Sequence, residues 1–212
     1  MIKESNFNSA AFFVGINAGT LGFAQDVNVL EITDFIEKLT KGEFNYEEIG
    51  IQEVTVKTQS EENLFYSLNE IVIRDEELNT ANFDIYVDNS LLENYVGDGL
   101  LIATSFGSTA YNLSFGGSIV FNTFETLQLT PIAPINNKTY RSLSNSLIIP
   151  VNKKIKLIPP KTKANLLITV DGNNHFYNNV QKIETIIGTK TIKIIRKKDY
   201  NFINKINDKF LQ

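Results

Sequence analysis

From residue 50 onward the texture of the chain is that of β-strands. "IQEVTVKT" (51–58) alternates at period two, and "LFYSLNEIVIR" (64–74) and "FDIYVDNSLLENYV" (83–96) continue the texture. Further along come "SLIIPV" (146–151), "KIKLIPP" (154–160), "ANLLITVDGNNHFYNNV" (164–180) and "TKTIKIIRK" (189–197). Alternation of this kind puts one face of a strand on a core and the other toward solvent. So many such segments predict a large β-rich domain of sandwich type. "DNS" (88–90) and "DGNN" (171–174) carry the residues that close hairpins.

The first 45 or so residues read differently. "AFFVGINAGTLGF" (11–23) predicts a buried strand running into a glycine-rich turn. Ile32, Phe35, Ile36 and Leu39 fall at i, i+3, i+4 and i+7, one apolar face of a helix that Gly42 is placed to end. A lone strand, turn and helix cannot complete a parallel layer, which needs neighbouring strands to cover both faces. The chain therefore reads as a small α/β piece followed by a β-rich domain, an α+β protein.

Composition excludes several classes. No apolar run approaches the ~18 residues a membrane-spanning helix needs, and "MIKESNFNSAAFFVG" lacks the basic start and long apolar core of a secretory signal. With no Cys there is no disulfide, thiol nucleophile or Cys-based zinc site, and a cytoplasmic location fits. Charge is divided unevenly: residues 1–150 hold 7 Lys+Arg against 20 Asp+Glu, and residues 151–212 hold 13 against 4. The basic third alternates its lysines with Ile in the manner of solvated strand faces, so nucleic acid is not an expected partner. His175, the only histidine, reads as a strand residue beside a turn and has no second metal ligand near it in sequence.

The stretch "GDGLLIATSFGSTAYNLSFGG" (97–117) asks for a further account. Its apolar run ends a buried strand, and "SFGSTAYN" makes a turn into a helix that Ser108 or Thr109 would cap. A helix start offers free N–H groups to ribose or phosphate. Tyr111 offers a ring for a base, and Asp98 an acceptor for an amide, amine or sugar. Chemistry alone describes either a nucleotide pocket or a plain structural turn.

Five ordered segments carry a resemblance. "VGINAGTLGF" (14–23), "LNE" (68–70), the 97–117 stretch, "LQLTPIAP" (127–134) with "RSLSNSLIIP" (141–150), and "VDG" (170–172) resemble the NAD kinase family over roughly residues 12–175. That family transfers phosphate from ATP to the 2′-hydroxyl of the adenosine ribose of NAD. The resemblance implies that Asn69 and Glu70 sit in the NAD site and that Asp98 contacts the amide or base region. It implies that Thr109, Ala110 and Tyr111, with Asn112, Leu113 and Ser114 behind them, surround an adenosine, with Ala133 lining the same cavity. Asp171 and Gly172 would approach through a loop or a neighbouring subunit. Each has a plainer reading: Asn69 as a turn cap, Glu70 as a solvated edge charge, Asp171 as a residue chosen for its turn. ATP with Mg²⁺, and a homo-oligomer (dimer or tetramer) formed through the β domain, follow from the same resemblance. Lipid kinases and phosphofructokinases share a glycine-rich front motif, but "GSTAY" and "LTPIAP" favour NAD.

The sequence departs from the family in three places. Val96 and Phe106 stand where polar residues are usual. The family's G-G-D-G-T, whose aspartate is its expected base, does not occur ahead of Val14. No catalytic residue is therefore assigned in this sequence. The expected organisation is a remnant of a Rossmann-like α/β domain over 1–46, a β-rich NAD-binding and oligomerisation domain over 47–200, and a tail or closing helix over 201–212. A chain read this way is expected to phosphorylate NAD poorly, as a fragment or impaired enzyme, the alternative being a non-catalytic NAD(P)-binding or oligomerisation module.

Overall fold

The computed structural model describes residues 10–19, 22–160 and 164–212. They fall into two compact units, the first taking in the chain up to Gly50 together with Lys190–Gln212, the second Ile51–Thr189.

In the first unit, β1 (Phe12–Phe13) runs parallel to the end of β15 (Val180–Lys197), and β2 (Ile16–Asn17) parallel to β3 (Val27–Asn28). The single buried strand expected at the start of 11–23 is not what forms. Two strands of two residues replace it, and Phe12 and Ile16 are 44% and 43% exposed. The Asn17 side chain accepts the N–H of Gly19 at 3.1 Å and turns the chain locally. Thr20 and Leu21, part of that expected turn, lie outside the described residues.

Helix α1 (Ile32–Thr40) forms where the spacing predicts, with Phe35 buried and Ile36 exposed. Gly42, at φ 72°, and Glu43 donate back to Leu39 O and Lys38 O and end it, as expected of a glycine in the left-handed conformation. The C-terminal segment closes as helix α3 (Phe202–Ile206), capped by Asn201, and Phe202 and Phe210 both pack on Phe23. The uneven charge finds its partners inside this unit. Arg196 pairs with Asp26 at 3.1 Å and Glu47 at 2.8 Å, and Lys205 pairs with Asp26 at 2.6 Å.

The second unit contains two sheets. The first has the order β5 (Glu62–Ser67), β4 (Phe44–Thr58), β15, β12 (Ile155–Ile158), β7 (Ala81–Val87), β8 (Ser90–Gly97). The second is antiparallel throughout, in the order β11 (Leu147–Pro150), β10 (Thr126–Ile132), β9 (Gly99–Thr104), β6 (Glu70–Asp75), β13 (Leu166–Val170), β14 (Asn173–Tyr177). Val54, Phe83, Ile85 and Ile155 from the first meet Ile71, Ile73, Leu100 and Ile102 from the second in one buried cluster. Each such side chain removed from water contributes roughly 1.5–3 kcal/mol. Hairpins close at Asp88 (φ 54°) and at Asp171–Gly172 (φ 45° and 81°), where the sequence signals them.

Strand β9 explains its own composition. Leu100 and Ile102 face the core between the sheets, while Leu101 and Ala103 join Val72, Ile132 and Phe115 on the opposite face. Burial on both sides is why "LLIAT" runs apolar without alternating. Among the described residues, no helix is long and apolar enough to cross a membrane.

Candidate functional site

The loop after β9 folds back over the outer face of the second sheet. It contains a 3₁₀ turn over Phe106–Thr109 and a single helical turn, α2 (Tyr111–Ser114). Neither Ser108 nor Thr109 caps it. Ala110 precedes α2 with no side-chain cap, and the Ser108 hydroxyl instead takes the Val120 N–H at 3.1 Å. One helical turn carries little macrodipole, so the phosphate-attracting helix start expected here is not formed.

Buried polar groups hold this loop. Asn112, fully buried, donates to Ser108 O at 3.1 Å and accepts the Thr130 hydroxyl at 2.7 Å. Gln128 receives the Ser118 N–H at 2.7 Å and donates to Ser118 O at 3.0 Å. Thr104 donates from Oγ1 to Leu68 O at 2.6 Å and accepts the Gly107 N–H at 3.0 Å. Gly107 lies so close to Asn69 that a Cβ would overlap the Asn69 backbone. Phe106 is buried in the same turn.

Asp171 fixes the other side of Asn69. Its carboxylate accepts the Ser67 hydroxyl (2.8 Å) and the N–H groups of Leu68 (2.8 Å), Asn69 (2.9 Å) and Glu70 (3.2 Å). Four donors on one carboxylate leave it little capacity for a ligand, so its role is to shape the turn. Gly172 stands exposed at the hairpin tip with open space around it.

Glu70 is 8% exposed and accepts the Tyr111 N–H, while its Oε2 is buried without a hydrogen bond. Burial first, and the Asp171 charge second, push its carboxyl up to about 7; the Tyr111 N–H opposes them. The plain reading of Glu70 as a solvated edge charge does not hold. The Tyr111 ring is 43% exposed and stands edge-on to Phe115 at 4.8 Å. Asn69 is half-buried, and among the described residues its side-chain amide makes no hydrogen bond.

The structure thus joins Asn69, Glu70, Tyr111 and Asp171 in one bonded cluster. Thr109 and Ala110 are half-buried beside it, Leu113 is half-buried, and Ser114 is exposed. Asp98 and Ala133 form a second group at the far end of β9. Asp98 is exposed and its N–H donates to Ile132 O at 2.9 Å; Ala133, also exposed, has φ 44°. Beneath them the Tyr95 hydroxyl, 2.7 Å from Ile132 O and also bonded to Gly99 O, is buried and its pKa pushed up to about 12 by that burial. Six residue steps along the strand take Asp98 to Thr104, whose N–H binds Asn69 O at 2.8 Å, a span on the order of 20 Å. A separate cleft on β8 is lined by Val96, Asp84, Glu93, Tyr140 and Arg141 and contains none of the expected site residues.

Arg74 links the two groups, and the motif reading missed it. Its Nη2 lies 3.3 Å from the Tyr111 hydroxyl, and its stem passes so close to Gly99 that a Cβ there would meet Arg74 Cγ at 2.8 Å. Strand alternation could have found it, because Glu70, Val72 and Arg74 must share a face.

The "ATP-NAD kinase C-terminal domain" family model matches residues 68–197, which covers β6 through β15 and the whole of this face. The chain belongs to the NAD kinase family. A NAD kinase of Finegoldia magna is 36% identical over 205 residues, covering 94% of this chain and 75% of that one. A Streptococcus agalactiae NAD kinase is 35% identical over 201 residues, covering 94% and 72%. Yeast NADH kinase, solved with NADH, superposes at TM-score 0.82 with 25% identity, and this chain spans 58% of its length. An Archaeoglobus fulgidus NAD kinase solved with ATP shares the fold at TM-score 0.71. The NAD kinase family is a family of phosphotransferases, and both the resemblance drawn from the ordered motifs and the β-rich architecture are borne out.

Proposed function

We propose that this chain carries the dinucleotide-binding part of an NAD kinase, which phosphorylates the adenosine 2′-hydroxyl of NAD with ATP to give NADP, that its own turnover is poor because no catalytic aspartate is assigned in this sequence, and that the outer face of the second sheet holds the dinucleotide. The observation that carries this reading is the bonded cluster of Asn69, Glu70, Tyr111 and Asp171, in a chain of the NAD kinase family. In this reading the exposed Tyr111 ring stacks on adenine, the Asn69 amide bonds the nucleotide, Thr109 and Ala110 line the approach, and Ala133 lies beside Asp98 at the other half. Asp98 takes polar groups of the other half. Asn112, Leu113 and Ser114 support the turn, and Asp171 and Gly172 set its shape.

Phosphoryl transfer rests mainly on positioning and charge neutralisation. The contribution of this face is to hold the ribose so that its hydroxyl meets the donor. Mg²⁺ would enter with ATP to neutralise phosphate charge. Among the described residues no group of three or more His, Asp or Glu is arranged to hold it, and no step is assigned to it. A homo-oligomer built through the β-rich domain, in the cytoplasm, belongs to the same reading.

Calorimetry with NAD and NADP, run beside an assay of NADP formation from NAD, ATP and Mg²⁺, tests the proposal. Micromolar NAD binding with slow turnover supports it, and turnover at an enzyme-like rate overturns the expected impairment. Binding without turnover selects the non-catalytic NAD(P)-binding alternative, and absence of binding refutes the site and leaves only an oligomerisation module.

A further inference from the structure

We propose that Arg74 is a dinucleotide-binding residue that takes a phosphate of the ligand stacked on Tyr111. The inference rests on the nucleotide-site reading above and adds to it the group that neutralises the ligand's charge. The guanidinium sits at the rim of the aromatic platform, 3.3 Å from the Tyr111 hydroxyl and 5.9 Å from the centre of the Phe115 ring. Tyr111 and Phe115 fix it there, edge to face at 4.8 Å. Gly99, lacking a side chain, leaves room for the Arg74 stem to pass over it. A hydroxyl and a ring face occupy little of a five-donor fork, and among the described residues Arg74 has no carboxylate partner.

Charge strengthens the argument. The other ionisable carboxyl groups of the candidate site, Glu70, Asp98 and Asp171, are acidic and would repel a phosphate. Arg74 is the cation beside the Tyr111 and Phe115 rings, and a planar guanidinium matches the paired oxygens of a phosphate. A dinucleotide offers two such groups within reach of a stacked adenosine: the pyrophosphate bridge and, in NADP, the phosphate on the ribose 2′-oxygen.

The test compares wild type, Arg74→Gln and Arg74→Lys for binding of adenosine, AMP, NAD and NADP, with thermal melts to verify folding. Loss of at least tenfold in AMP, NAD and NADP affinity, with adenosine within twofold and partial recovery in Arg74→Lys, places the residue on the chain phosphates. The same loss confined to NADP places it on the 2′-phosphate. Equal weakening of all four ligands means Arg74 acts only by holding Tyr111 and overturns the inference, as does no change in any. If Arg74→Gln fails to fold, Arg74→Lys carries the same comparison, because it keeps the charge and loses the fork. Wild-type protein that binds none of the four overturns the site reading and this inference together, whereas wild-type binding unchanged in the variants overturns the inference alone.

Discussion

Asp171 Oδ1 accepts the backbone N–H of Asn69 at 2.9 Å, across a sequence separation of 102 residues. The same carboxylate holds Leu68, Glu70 and Ser67, so one hairpin residue shapes the turn between β5 and β6. Asp171→Ala should destabilise the protein by about 2–4 kcal/mol, because buried donors lose a charged acceptor and Ala tolerates φ 45° poorly. Asp171→Asn should cost less, since it keeps Oδ1 and suits that backbone. Urea unfolding of both variants measures the difference, and equal costs would contradict it.

Glu70 should make stability depend on pH near neutrality. Its folded pKa of about 7 lies above the ordinary 4.5, so the folded state binds the proton more tightly. The stability it contributes is present below about pH 4.5 and is lost as pH rises toward 7, on the order of 3 kcal/mol in total. The difference in unfolding free energy between wild type and Glu70→Gln, followed from pH 4.5 to 8, should move against wild type as pH rises. A difference independent of pH would sink the account.

Gly107→Ala should disturb Asn69 directly. The added Cβ meets backbone atoms and not the flexible end of a side chain, so the strain has little outlet. A loss of about 1–3 kcal/mol in stability and weaker NAD binding are expected; the measurements are a thermal melt and a calorimetric titration.

Tyr95→Phe should cost about 1–3 kcal/mol, because the buried carbonyls of Gly99 and Ile132 lose a shared donor without gaining water. Chemical denaturation reads the loss.

Tyr111→Ala should weaken NAD binding by roughly 10- to 100-fold, the worth of one base–aromatic stack. Tyr111→Phe, which keeps the ring, should stay within a few-fold. Similar losses in the two would move the adenine elsewhere.

Much of the β-rich architecture was legible because alternation and turn chemistry act locally. "DG" at 171–172 closes the hairpin it announces, and "LLIAT" declares a strand covered on both faces. Other features were not. "LFYSLNEIVIR" reads as one run, yet Thr104 and Asp171 split it at Leu68–Asn69 by taking backbone groups that a continuous strand would have used. The front segment looks like a buried strand because its residues are apolar, yet it breaks at Val14–Gly15 into two strands of two residues, and Asn17 turns the chain only after the second.

The sequence alone determined periodicity, turn positions and the ordered motifs, since each is set by residues a few places apart. Tertiary structure decided which carboxyl shapes a turn and which is left buried with a raised affinity for protons. It also decided that Arg74 stands over Gly99 beside Tyr111. Those outcomes depend on strand register and sheet order, which bring together groups that no local pattern relates.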